Sequence, residues 1–143
     1  MVERWVNVVA SDDWVIHCGD VAMGRWEDAK KVVQALSGRK VLLRGNHDGA
    51  KFVKVYRDLG WHVFQSLSLG NTLFQHHPIE KDEEFDHELV VHGHSHGSLT
   101  KDRHADVGVD DERWNKYEPL DARFVLGVEQ THVVLVTLNT MFG

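Results

Sequence analysis

At 143 residues, with 42% hydrophobic and 27% charged side chains, the chain is long enough for one core and too apolar for a disordered segment. Its formal net charge of −6 provides no overall field to gather nucleic acid, so a phosphate-bearing ligand needs a local positive centre, which a bound metal can supply. The one cysteine, Cys18, excludes an internal disulfide and suits a reducing compartment, and neither the apolar-poor start (1–5) nor the short run 133–138 reads as a signal or a membrane span; a soluble, cytoplasmic chain with no membrane and no stable nucleic-acid partner is expected.

Residues 2–9 place Val2, Trp5, Val6 and Val9 on one face of a short helix, which Ser11, Asp12 and Asp13 end. Residues 14–17 read as a short buried strand closed by Cys18-Gly19-Asp20. Over 26–36, Trp26, Ala29, Val32, Val33 and Leu36 share a helical face; Glu27 and Asp28 sit in the first turn, where the helix dipole favours acids, and Gly38 fits the C-terminal cap. A second strand is expected at 41–43 and a helix over 50–59. Strands over 61–69 and 72–75 are joined at Gly70-Asn71, a hairpin signal. Residues 80–88 form an acidic loop, 89–91 another buried strand, 107–109 one more, and 122–128 with 131–138 a closing hairpin. Strand and helix alternate early and strands dominate late, so the expected fold is a layered α/β domain. It is expected to be a single domain over 1–143, with the hairpin from about 121.

The 11 histidines are clustered, and the clusters stand at strand ends, where such folds place ligands. Gly19-Asp20 by itself reads as a turn. Gly45-Asn46-His47-Asp48 has more polar function than a turn needs. His94 and His96 are two residues apart, so in an extended segment both imidazoles reach one side. His76-His77-Pro78 alone reads as a solvated turn. Together they offer carboxylate, amide oxygen and imidazole, a donor set for a borderline divalent metal such as Mn²⁺, Fe²⁺, Ni²⁺ or Zn²⁺. A thiolate zinc knuckle is excluded by composition.

In that order, Gly19-Asp20, Gly45-Asn46-His47-Asp48, His76 and Gly93-His94-Ser95-His96 resemble the signature of the calcineurin-like metallophosphoesterases. Leu43-Arg44 before the second motif, and Val107-Gly108-Val109-Asp110, resemble the small branch of bacteria and bacteriophages; the resemblance covers roughly residues 3–120. It implies a β-sandwich flanked by helices, and two metals, Mn²⁺ foremost, that bridge and polarise a phosphate ester. Carried over, Asp20 bridges both metals. Asn46, His76 and His94 complete one site, and His96 belongs to the other. His47 stabilises charge at the phosphoryl group or protonates the leaving oxygen, and Asp48 orients His47. His76 is preferred to His77 because it precedes the residue before Pro78; His77 is then substrate-facing or merely exposed.

The family opens with a strand ending in Asp-x-His, and no such motif precedes Gly19 here. His17 reads as packed or solvent-facing, and Asp102 with His104 is the remaining candidate replacement. One metal site is therefore expected to be well occupied and the second weak or empty, with reduced activity. The missing strand leaves a sheet edge to close. The chain is then a truncated gene product, a variant whose C-terminal strands up to Phe142 cover the gap, or a homodimer that pairs strands across two chains. The expected function is metal-dependent hydrolysis of a small phosphate ester, a diester such as a cyclic nucleotide by preference. The alternatives are a degenerate, non-catalytic metal-binding or interaction module of the same fold, and a histidine-rich domain without metal.

Overall fold

The computed structural model describes residues 6–7, 9–21, 25–81, 85–95, 101–107, 120–121 and 133–136. In chain order its elements are β1 (Trp14–His17), α1 (Trp26–Ala35), β2 (Arg39–Leu43), α2 (Ala50–Asp58), β3 (His62–Phe64), β4 (Ser66–Leu69), β5 (Thr72–Gln75), β6 (Leu89–His92), β7 (His104–Asp106), β8 (Leu120–Asp121) and β9 (Val133–Val136). They form a five-stranded sheet, β3-β2-β1-β9-β8, and a four-stranded sheet, β4-β5-β6-β7.

β1 and β2 are apolar runs whose side chains are buried on both faces, as strands covered from two sides must be. One face, carrying Val15 and Leu42, packs against Val33 and Leu36 at the end of α1 and against Tyr56 and Trp61. The other, carrying Ile16, Val41 and Leu43, packs against Phe74, Val91 and Ala105 of the second sheet. The period-2 alternation of the strands thus builds three layers: helices, sheet, sheet. Each fully buried Leu, Val or Phe in these two cores contributes about 1.5–3 kcal/mol. Tyr56 stacks on Trp61 with ring centroids 5.1 Å apart, which locks α2 against the chain leading into β3.

β1 is central. It pairs in parallel with β2 on one side and with β9 on the other, where Trp14 faces Val133 and His17 faces Val136. β8 then adds antiparallel to β9. The side of β1 away from β2 is thus covered by a strand from later in the chain.

Several expectations shift. The run 61–69 is two strands in different sheets: β3 pairs with β2, and beyond Gln65 β4 pairs with β5. A strand not expected lies at β7, followed by buried Val107, whose N–H is bonded to His92 O at 2.8 Å; residues 108–109 of the strand expected at 107–109 lie outside the described residues. The closing hairpin is realised by β8 against β9; residues 122–128 lie outside the described residues, as does most of the first helix, of which 6–7 are helical. No helix among the described residues is long and apolar enough to cross a membrane.

Candidate metal centre

Four loops converge at the C-terminal ends of four strands, two from each sheet. β1 leads to Asp20, β2 to Asn46, β5 to His76 and β6 to His94. Because β1 and β2 are parallel, and β5 and β6 likewise, all four loops can leave at one end of the sandwich. Two of the four residues take backbone conformations that side-chain-bearing residues seldom adopt: φ is 57° at Asp20 and 63° at His94. Gly19 has φ 95°, and a Cβ there would collide with the His76 ring. A Cβ on Gly45 would overlap the Asp20 carboxylate, so this glycine serves close approach.

The donor atoms meet within hydrogen-bond range. His76 Nε2 lies 2.8 Å from Asn46 Oδ1, 3.1 Å from His94 Nδ1 and 3.3 Å from Asp20 Oδ2. His94 Nδ1 lies 3.1 Å from Asn46 Oδ1. The other His76 nitrogen, Nδ1, donates to the carbonyl oxygen of Cys18 at 2.7 Å. That bond places the proton on Nδ1 and leaves a lone pair on Nε2. A carboxylate oxygen, an amide oxygen and an imidazole lone pair are then all acceptors facing one another. A cation satisfies all of them at once. Separations of this size suit ligands held at about 2.1 Å from one ion. The residues present therefore fit a divalent metal.

His77 joins this group. One ligand atom from each of His76, His77 and His94 lies within 4.8 Å of the others, and the His77 and His94 ring centroids are 4.3 Å apart. Burial, and then the neighbouring His76 and His94, hold the His77 pKa below its usual value. The sequence favoured His76 over His77; the fold brings both to the cluster.

Asp48 has a different partner from the one expected. Its Oδ2 accepts the N–H groups of Asp20 and Gly45, each at 2.8 Å, and its Oδ1 accepts that of Val21 at 3.2 Å. The carboxylate is thus bonded to the backbone of the two metal-site loops rather than to the His47 imidazole, and it positions Asp20. Burial raises the Asp48 pKa, with the three N–H bonds opposing that rise. His47 is exposed, and its backbone N–H donates to Asp20 Oδ1 at 2.8 Å. His96 lies outside the described residues.

His17 is packed, not solvent-facing. It is fully buried, its Nδ1 accepts the Gly19 N–H at 3.1 Å, and burial, then His76, holds its pKa down at about 3. His104 is held elsewhere: its Nε2 accepts the Ile79 N–H at 3.2 Å and its Nδ1 lies 2.8 Å from Asp102 O, so this pair does not replace the Asp-x-His ligands. The Cys18 carbonyl and the Asp48–backbone clamp left no trace in the sequence pattern, since backbone groups carry no residue signature. For His77, adjacency to His76 was the available signal.

Comparisons with known proteins agree with this geometry. Residues 1–114 match the family described as the calcineurin-like phosphoesterase superfamily domain. An uncharacterized protein of Methanocaldococcus jannaschii is 24% identical over an alignment covering 99% of this chain and 80% of its own length. The gene 66 protein of Mycobacterium phage L5 is 28% identical, covering 73% of this chain and 66% of its own, which supports the bacteriophage-type branch. The crystal structure of a protein of unknown function from Aquifex aeolicus superposes with a TM-score of 0.65 at 19% identity, over 90% of this chain and 82% of that one, and shares the fold. The chain belongs to the calcineurin-like phosphoesterase superfamily.

Proposed function

We propose that this chain is a metal-dependent phosphoesterase acting on a small phosphodiester. The observation that carries this is the convergence of Asp20, Asn46, His76 and His94 with the His76 lone pair turned inward by Cys18 O. A divalent ion in that cluster supplies Lewis-acid polarisation of a phosphoryl oxygen. Mn²⁺ is the first choice for a set of one carboxylate, one amide and two imidazoles, with Fe²⁺, Ni²⁺ and Zn²⁺ as competitors. Asp20 and Asn46 present oxygen donors, while His76 and His94 present nitrogens. Exposed His47 stabilises negative charge on the phosphoryl oxygens or delivers a proton to the leaving oxygen. Asp48 holds the Asp20 loop in register. A second, weaker ion position made by Asp20 and His96 is part of this reading. The lone, buried Cys18, its thiol pKa pushed up to about 12 by burial, suits a cytoplasmic setting.

The test is Mn²⁺-dependent hydrolysis of bis(p-nitrophenyl) phosphate by the wild type and by His47→Ala. A fall of about 10²–10⁴-fold supports the assignment; equal rates sink it. The competing reading is a metal-binding module of the same fold without turnover. Metal uptake with no hydrolysis by either protein selects it.

A further inference from the structure

Beside the metal cluster lies a cavity of about 240 Å³ that shares His76 and His77 with it; among the described residues Arg44, Gln65, Ser66 and Gln75 also line it. Among the described residues every lining side chain is polar, and Arg44 is the one arginine or lysine among them. The volume falls below the roughly 300–1,000 Å³ of pockets for drug-sized ligands, so it suits one small group rather than a long chain.

Arg44 is held in place. Its Nε donates to Asp48 O at 2.8 Å, on the loop that also clamps Asp20. The terminal nitrogens of the guanidinium are not part of that bond, and together they form a planar fork that matches an oxyanion in two parallel hydrogen bonds. Gln75 Nε2 is tied to His77 O at 2.7 Å, which fixes the second wall of the cavity to the metal cluster. On a chain of net charge −6, the immobilised Arg44 cation next to the metal cluster is a selective feature: it rewards one extra negative group at one place, while the overall charge disfavours longer polyanions.

We propose that this cavity is the subsite for the non-reacting end of the substrate, and that it selects a small phosphodiester carrying a second oxyanion, bound by the Arg44 fork while the ester phosphate sits at the metal cluster. The proposal rests on the phosphoesterase reading above and narrows its substrate class.

The experiment is equilibrium binding of two monoester probes of similar size, ethyl phosphate and 2-phosphoglycolate, which stand for the product that keeps the non-reacting arm, to the Mn²⁺-loaded full chain. The second probe adds a carboxylate. The wild type is expected to bind 2-phosphoglycolate about tenfold more tightly. Arg44→Gln is expected to bring the two probes level without changing Mn²⁺ affinity, and Arg44→Lys, which keeps the charge but lacks the fork, to reduce the preference severalfold. Equal affinities in the wild type overturn the proposal, and so does a preference that survives both substitutions. The two readings fail differently. Absent Mn²⁺ uptake or His47-independent hydrolysis strikes the phosphoesterase reading, whereas Mn²⁺ uptake without probe discrimination strikes the subsite alone.

Discussion

His76 Nδ1 lies 2.7 Å from the carbonyl oxygen of Cys18, and this contact decides which way the lone pair of a buried imidazole points. It points at Asn46, Asp20 and His94. Replacing His76 by Ala removes the buried donor on which the other three converge. The expected result is a loss of Mn²⁺ affinity on the order of 100-fold or more, since losing a ligand costs more than losing its supporting partner. Isothermal titration calorimetry checks it, and an affinity within threefold of the wild type contradicts the arrangement.

Asp48→Asn tests the clamp. The carboxylate accepts three backbone N–H groups, and a carboxamide can offer only one oxygen to them. At least one buried N–H is left without an acceptor, at a cost of about 1–3 kcal/mol. Mn²⁺ affinity is expected to fall about 10–100-fold through the displaced Asp20. Chemical denaturation in chelator reads the first effect and calorimetry the second; a variant that loses hydrolysis with both quantities intact would restore Asp48 to a partnership with His47.

Gly45→Ala places a methyl group against the Asp20 carboxylate. The neighbouring groups are rigid, Asp20 being tied through its own N–H to Asp48, so the strain cannot relax through a mobile side-chain end. A loss of about 1–3 kcal/mol is expected, with metal affinity reduced. Thermal unfolding with and without Mn²⁺ measures both. Gly49, where nothing lies within 4 Å of an added Cβ, is the matched control.

The pH dependence of the metal-free protein has a definite sign at His17. Burial depresses its pKa to about 3, from 6.5 in the unfolded chain. Above 6.5 both states are neutral and the group costs nothing. As the pH falls below 6.5 the unfolded chain takes up a proton that the folded chain refuses, and stability is lost until the pH approaches 3. Between pH 7.5 and 5 the loss is about 2 kcal/mol. His17→Asn keeps an acceptor for the Gly19 N–H without the titration, so its stability should change less over that interval. Identical pH slopes for the two proteins in chelator would dismiss the assignment.

His77→Ala measures how far the neighbouring imidazole has joined the metal cluster. It is exposed, so a smaller effect than at His76 is expected: about a tenfold loss of Mn²⁺ affinity. Binding indistinguishable from the wild type would return His77 to the solvent-facing role.

The sequence disclosed the strands whose apolar runs end in glycine or in a polar cluster. β1 and β5 lie where expected, and the motif loops follow from them. It hid the switch of sheet at Gln65, because the run 61–69 contains no glycine or proline to mark it. β7 was missed because His104–Asp106 carries two titratable residues and has no apolar run to mark it. The partner of Asp48 was hidden for another reason. His47 is its neighbour in sequence, but the N–H groups it binds include that of Asp20, 28 residues away, and a side chain bonded to backbone imposes no residue type on its partner.

The parallel pairing of β1 with β9 has a kinetic corollary. β1 carries the chain into Asp20, yet one of its two neighbours, β9, lies far downstream in the chain. Joining strands so distant in sequence incurs a large loop-closure entropy and slows folding. A nascent chain holding β1 and β2 has one edge of β1 unpaired until residues 133–136 emerge, and that edge is open to wrong partners meanwhile. Maturation of the metal cluster is thereby tied to completion of the sheet, so metal added to the nascent chain should be captured late, after the C-terminal strand has docked.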